Sequence, residues 1–336
     1  MSTAAEIQEQ SLVIDGLSYY SDGYTGDLHT GGVNALNVTI ANFEAEYAET
    51  CDRIAGWLAA LKQPESEWRL IERATDLETA KQAGQIGLIM GWQNMRPMGD
   101  RLDRLELFHR LGVRIMQITY NYRNALGDGC LETEDSGLSV LGRDAVKAMN
   151  ELGIAIDLSH VGYRTTLDTI ELSEKPVLAT HANAKSLTDL VRNKSDDVIK
   201  AIAETGGVIG ASVYGPMLWD GDVNRRPTVD DFVRHIEYIV GLVGIDHVGF
   251  GTDLPASRDL QKTAYEAANR RLWTGISSYG DAFGHDIPAR YIEDANSHAK
   301  LPAVTEALVE RGWRDADIAA YLGGNFARAL GEIWGG

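Results

Sequence analysis

Two histidines stand at the C-terminal ends of consecutive apolar runs. His160 closes Gly153-Ile-Ala-Ile-Asp-Leu-Ser-His160, and His181 closes Pro176-Val-Leu-Ala-Thr-His181. An aspartate closes a later run in the same way, in His247-Val-Gly-Phe-Gly-Thr-Asp253. Imidazole nitrogens and a carboxylate brought to one place are the usual means of holding a catalytic divalent metal. A carboxylate beside such an ion, rather than on it, is suited to carrying protons. The three residues meet only if their strands are parallel neighbours ending on one face, as at the C-terminal mouth of a barrel of alternating strands and helices.

The rest of the chain supplies such a frame. Short β-rich runs separated by helical stretches predict strands at Leu12–Leu17, Val33–Ile40, Ile86–Trp92, Val113–Thr119, Ile154–Ser159, Val177–Thr180, Val208–Val213 and His247–Thr252. Most are continuous apolar runs without alternation, as expected of parallel strands buried on both faces. Helical patterns lie between them at Ala41–Leu61, Asp76–Ala83, Arg101–Leu111, Gly142–Leu152, Thr165–Leu172, Asp196–Thr205 and Val229–Val243. Several end at a glycine, namely Gly112, Gly153, Gly206 and Gly244, the usual C-terminal stop. Eight βα units over about 250–280 residues match a (β/α)8 TIM barrel. A doubly wound open sheet is the rival, and Asp15-Gly-Leu-Ser-Tyr-Tyr20 after the first strand lacks the G-x-G-x-x-G that would support it. The expectation is one barrel domain over residues 1–336, with an irregular aromatic-rich stretch from Arg258 to Glu293. A helical extension at about 300–334, from Pro302–Arg311 and Asp315–Gly331, closes the chain.

In order, the residues just past the strands are Leu17 or Ser18, Ala41 or Asn42, Gln93, Tyr120, His160, His181, Tyr214 and Asp253. From the third onward each can coordinate, donate or accept. His109 and His235 lie inside helical patterns, His247 opens a strand, and His29, His285 and His298 fall in loops or near helix starts, so none of these is assigned chemistry. Composition narrows the partners. With 31 Lys and Arg against 49 Asp and Glu, the net charge is −18. That argues against nucleic acid, since phosphate binding needs a basic face. Two cysteines, Cys51 and Cys130, make no disulfide framework and fit a reducing compartment. The first ten residues lack the pattern of a secretory signal, and no apolar run reaches the ~18 residues of a membrane span. The expectation is a cytoplasmic enzyme with a small-molecule substrate, no nucleic acid and no membrane, with homo-oligomerisation open.

The segment Met149-Asn-Glu-Leu-Gly-Ile-Ala-Ile-Asp-Leu-Ser-His160 resembles a signature of the membrane (renal) dipeptidase family of metallopeptidases. So does Thr180-His-Ala-Asn-Ala-Lys-Ser-Leu followed by Val191-Arg-Asn-Lys-Ser-Asp-Asp-Val198. Val248-Gly-Phe-Gly-Thr-Asp253 and Gly323-Gly-Asn-Phe326 resemble two further family blocks, so the likeness runs over nearly the whole chain. It implies two zinc ions sharing a bridging carboxylate. One takes a His and an Asp from a first-strand D-G-H-x-D motif, and the other takes the histidines matching His160 and His181. This chain departs from the pattern. The first strand reads Asp15-Gly16-Leu17-Ser18-Tyr19, so Leu17 replaces the histidine and Tyr19 the aspartate. Gln93 replaces the bridging glutamate, and Tyr120 replaces a histidine that contacts the scissile group in relatives.

Leucine cannot ligate, and a phenol of pKa ~10 is a poor ligand for a divalent ion. Two dications ~3.5–4 Å apart need an anionic bridge, which a neutral amide does not supply. The expectation is therefore a reduced site holding one divalent ion, zinc first, with iron or manganese as alternatives, on His160, His181 and Gln93. Asp22 could re-enter from the loop as a surrogate ligand. Asp253 is the expected general base and then acid, and Tyr120 the donor to the oxyanion. Arg192, which matches the family's R-N arginine, is the expected anchor for a substrate carboxylate, with Tyr214 and Asn183 also on the substrate side. The reading is a metal-dependent hydrolase acting on an amide or similar bond in a small carboxylate-bearing molecule. The alternatives are a mononuclear lyase or iron-dependent oxidative enzyme on the same barrel, and an inactive dipeptidase-like binding protein.

Overall fold

In the computed structural model, which describes residues 2–19, 21–222, 224–257 and 290–335, the apolar runs of the sequence become parallel strands. They are β1 (Ile14–Ser18), β2 (Ala35–Thr39), β3 (Trp68–Leu70), β4 (Ile86–Trp92), β5 (Val113–Gln117), β6 (Ala155–Asp157), β7 (Leu178–Ala179), β8 (Val208–Ala211) and β9 (Val248–Phe250). Pairing runs β1-β2-β4-β5-β6-β7-β8-β9, all parallel, with helices between successive strands. This is the expected (β/α)8 barrel. The strands of the barrel path are buried throughout, which explains why they read as unbroken apolar runs. β3 was not expected. It has three residues and pairs only with β4, off the barrel path, and Trp-Arg-Leu is too short to show a period.

The irregular stretch expected from Arg258 lies outside the described residues as far as position 289, and His285 with it. The last expected helix, Asp315–Gly331, is three pieces: a helix at Asp315–Ala319, a wider turn at Ala320–Gly324 and a helix at Asn325–Trp334. The break falls at Gly323, whose backbone is non-helical (φ 178°, ψ −16°), and no larger residue fits there, since a Cβ would lie 2.3 Å from the carbonyl oxygen of Leu12. The turn lets the last helix bring Phe326 against the bottom of the barrel, among Ile14, Ala35, Ile89, Ile115, Ala155 and Leu178. Side chains at Gly16 and Gly249 would come within 2.7 and 2.6 Å of that ring. The Gly-Gly-Asn-Phe block thus closes the floor and leaves the chemistry to the opposite end. Among the described residues no helix is long and apolar enough to cross a membrane.

The seam between β9 and β1 is held largely by one buried carboxylate. Asp15 Oδ1 accepts from the main-chain N–H of Thr252 at 2.8 Å and of Leu17 at 3.1 Å. Its Oδ2 accepts from Thr252 Oγ1 at 2.6 Å and from His298 Nε2 at 2.9 Å. His298, a loop histidine with no assigned role in the sequence, is therefore a buried partner of the first strand. The main-chain N–H of Asp253 donates to Leu17 O at 3.0 Å across the same seam. Removing a carboxylate with four buried donors leaves those donors unpaired, so Asp15→Ala is expected to cost about 3–5 kcal/mol of stability. Chemical denaturation read by circular dichroism checks this; a loss below about 1 kcal/mol would mean the seam does not depend on Asp15.

Candidate metal centre and active site

The histidines at the ends of β6 and β7 meet at the mouth. Nε2 of His160 lies 2.9 Å from Nε2 of His181, and both residues are buried. What the other ring nitrogens do decides the chemistry. His160 Nδ1 lies 2.6 Å from the amide oxygen of Asn121, which only accepts, so the proton sits on Nδ1. His181 Nδ1 lies 2.9 Å from Thr180 Oγ1. That hydroxyl donates to Asp157 Oδ2 at 2.7 Å, while Ser159 Oγ donates to Asp157 Oδ1 at 2.6 Å. With its own proton directed at a carboxylate, Thr180 accepts from His181, and Nδ1 again carries the proton. Both Nε2 atoms then present lone pairs to each other at hydrogen-bond distance with no hydrogen between them. Such a pair repels unless a cation lies between or in front of it, and two neutral imidazoles are what a divalent ion takes.

The surroundings keep both rings neutral. Burial pushes each histidine well below its ordinary pKa, and the nearby charges of Arg192 and Lys194 act in the same direction. Arg192 is buried, with Nη1 donating to the carbonyl of Ser159 and Nη2 to that of His181 at 3.2 Å. It therefore clamps the two strand ends that carry the histidines. Lys194 Nζ donates to Val161 O at 3.2 Å. Burial, helped by Arg192, pushes the Lys194 ammonium down to about 8. Proton competition for the two Nε2 atoms is weak here, which favours a metal.

Gln93 is buried at the end of β4; its Nε2 donates to Thr39 Oγ1 at 3.0 Å, which leaves Oε1 as the atom able to coordinate. The ring of Tyr120 lies flat between Phe43 and His160, with centroids 4.2 and 4.0 Å away, and so fixes the plane of the His160 imidazole. Asn183 donates to Ser212 O at 2.9 Å and accepts from Ser212 N–H at 3.0 Å, tying the β7 end to the β8 end. Tyr214 is buried, and burial raises its phenol above the ordinary range, so it stays protonated. Asp22 is exposed and accepts from Ser257 Oγ at 2.7 Å and Tyr24 N–H at 3.0 Å.

Asp253 combines two unusual features. Its backbone φ is +59°, the one left-handed non-glycine among the described residues. Such positions tend to be held by their surroundings at functional sites. Burial pushes its carboxyl up from 3.8 to about 6; Arg290 and Arg192 pull it down, and Asp15 adds to the rise. A carboxylate that gains a proton near pH 6 is well matched to taking one from water and giving it to a leaving group.

Sequence reasoning missed Asn121, Asp157, Thr180, Lys194 and Arg290. Asp157 and Thr180 had a signal, since each is a polar residue inside an otherwise apolar run next to a histidine. Asn121 had a weaker one, as part of the donor-rich and aromatic loop Tyr120–Cys130 that follows the fourth expected strand and could line the pocket, while Arg290 sits in an irregular segment with none.

A family model described as Membrane dipeptidase (Peptidase family M19) matches residues 32–266. The chain belongs to the membrane dipeptidase family. Among curated relatives of this dipeptidase-family chain, an uncharacterized dipeptidase of Schizosaccharomyces pombe is 31% identical over 277 residues, covering 81% of this chain and 63% of the relative. A dipeptidase of Claviceps purpurea is 28% identical over 266 residues, covering 79% and 55%. The chain thus spans between about half and just under two thirds of the length of these relatives. Among solved structures, an amidohydrolase from Pseudomonas aeruginosa has a TM-score of 0.87 at 32% identity, each chain fully covered. A probable dipeptidase from the same organism has a TM-score of 0.81 at 21% identity, covering 99% and 98%, and shares the fold.

Set against the family pattern, the first-strand residues do not fit a second ion. Leu17 has no donor atom, and all four contacts of Asp15 already come from hydrogen-bond donors. The ring of Tyr19 faces the guanidinium of Arg290, whose central carbon is 5.2 Å from the ring centroid. Among the described residues no group of three or more His, Cys, Asp or Glu is placed to hold a metal.

Proposed function

We propose that this chain is a metal-dependent hydrolase of an amide bond in a small carboxylate-bearing molecule. In this reading it uses one divalent ion, zinc first, held by His160, His181 and Gln93. The observation that carries the reading is the pair of Nε2 lone pairs 2.9 Å apart, each set by a partner on the opposite ring nitrogen. The ion, when bound, supplies a Lewis acid for the scissile carbonyl and lowers the pKa of water toward neutrality. Asp253, at the end of β9, takes the proton of the attacking water and returns it to the departing amine. Tyr120, stacked on His160, donates to the oxygen that gains charge. Arg192 holds the carbonyls of Ser159 and His181, so that the two imidazoles keep their spacing. Tyr214 stays a neutral phenol and walls the mouth.

Two measurements test this together. Elemental analysis of protein purified without chelator is expected to give about one equivalent of divalent ion per chain; two equivalents would overturn the single-ion site. Turnover is then followed on a panel of N-acyl amino acids and L,L and L,D dipeptides, before and after chelation and zinc return. The expected result is cleavage of at least one member, lost with the ion and restored by it, with ordinary dipeptides well below the usual kcat of ~1–10³ s⁻¹. A panel untouched by metal-replete protein would sink the amide-hydrolase reading.

A further inference from the structure

We propose that Thr252 is the positioning residue of the base, its hydroxyl holding the backbone of Asp253 in the left-handed conformation and so fixing where the carboxylate stands. A residue with a Cβ is crowded at φ +59°, and it persists there only where its surroundings impose it. Thr252 Oγ1 accepts from the main-chain N–H of Leu254 at 2.9 Å, a bond that spans Asp253 and closes a turn around it. The proton of the same hydroxyl goes to Asp15 Oδ2 at 2.6 Å, with the carbonyl oxygen of Leu17 further off at 3.4 Å. One buried oxygen therefore ties the turn that carries the base to a carboxylate of β1.

The segment around the base is pinned from several sides. Thr252 N–H donates to Asp15 Oδ1 at 2.8 Å, and its carbonyl accepts from Ser212 Oγ at 3.2 Å. Asp253 N–H donates to Leu17 O at 3.0 Å, and its carbonyl accepts from the Tyr291 hydroxyl at 2.8 Å. The Leu254 carbonyl accepts from Ser18 Oγ at 2.8 Å. Every main-chain polar atom of residues 252–254 thus has a partner, but only the bond from Leu254 N–H begins and ends within the segment, and that bond sets its shape. The same pairing recurs where β7 ends. The N–H and hydroxyl of Thr180 donate to Asp157 of the neighbouring strand at 2.9 and 2.7 Å, and the residue that follows is His181. In both places a buried carboxylate fixes a threonine through two donors, and the threonine fixes the functional residue after it, through the ring at His181 and through the backbone at Asp253.

The assignment rests on reading Asp253 as the base, and its first test needs no turnover. In protein carrying carbon-13 at the aspartate carboxyls, the Asp253 resonance is the one absent from Asp253→Asn. In wild type it should titrate at about 6. Thr252→Val keeps the volume and removes both bonds of the hydroxyl, so the carboxyl leaves its buried place and should titrate nearer 3.8. Thr252→Ser keeps the hydroxyl and should titrate as wild type. Thr252→Cys, whose thiol is a weak acceptor, should move in the valine direction and serves if the valine variant folds poorly. The charged and titratable groups around Asp253 are Asp15 of β1, Arg192 beyond β7, Tyr214 at the end of β8, Arg290 and Tyr291, and these exchanges alter none of them. On any amide of the panel that is cleaved, Thr252→Val should lower kcat by about 10–100-fold with KM little changed. In an Asp253→Asn background the same exchange should cost little more, because it acts through the carboxylate. A carboxyl still titrating at about 6 in the valine and cysteine variants, a serine variant that moves as far as valine, or an equal loss of kcat in both backgrounds overturns the proposal. A titration that moves as expected while no amide of the panel is cleaved would keep Thr252 as the residue that places Asp253 and sink the hydrolase reading alone.

Discussion

Alanine at His160 or at His181 is expected to remove the bound ion and lower kcat by about 10³-fold or more, since a metal's charge stabilisation in hydrolysis amounts to several kcal/mol. The two Nε2 atoms lie 2.9 Å apart. Each has its proton fixed on Nδ1, so neither can serve as a hydrogen-bond donor to the other, and both lone pairs converge on one point. Loss of either ring leaves a single imidazole and a neutral amide, too few donors for a tight divalent site. Metal content by elemental analysis should fall from about one equivalent to near zero, with the circular dichroism spectrum retained. A milder variant probes the cause. Thr180→Val keeps volume and removes the hydroxyl that joins His181 to Asp157, and loss of such an outer partner should weaken metal affinity by about 10–100-fold. Unchanged metal content in His160→Ala would show that the ion is held elsewhere.

The strands were legible in the sequence because burial on both faces removes the alternation that would otherwise blur them, as in Ile86–Trp92. The histidines were legible because a barrel places the ends of neighbouring strands together, so position along the chain becomes position around the mouth. What was not legible depended on side-chain direction or on long loops. Arg192 lies on a recognisable motif, yet its guanidinium turns inward to Ser159 and His181, and no spacing rule reveals that turn. His298 follows a segment with no period and returns to Asp15, 283 residues earlier. Arg290 belongs to the same kind of irregular chain, so its place over Tyr19 could not be derived from any pattern. Asp157 lay in plain view inside β6, but an ionisable residue in a buried strand reads as an anomaly until its acceptor role toward Ser159 and Thr180 is seen.

Asp253→Asn is expected to lower kcat by about 10²–10⁴-fold while the ion stays bound, because the variant keeps the shape and removes the base. Asparagine also tolerates the left-handed backbone that Asp253 adopts at φ +59°, so the loss reports chemistry rather than strain. Two pH experiments separate this role from others. The carboxyl, pushed by burial from 3.8 to about 6, must be ionised to accept a proton, so kcat/KM of the wild type should rise with pH through a midpoint near 6. The remaining activity of the variant should lack that limb. Stability moves the opposite way. A carboxyl whose folded pKa is raised is no burden below about pH 4, where it is protonated in both states. It becomes a penalty that grows between about pH 4 and 6, where the unfolded chain ionises and the folded state does not, and levels off above 6. The penalty is on the order of 1–3 kcal/mol, allowing for screening at a partly exposed group. Asp253→Asn should therefore match wild type in denaturant midpoint near pH 4 and exceed it above pH 6.5. A variant that is inactive yet no more stable at neutral pH would mean that Arg290 and Arg192 already compensate the charge in the folded state. A variant that loses its ion would make Asp253 a ligand, and the base would have to be sought elsewhere at the mouth.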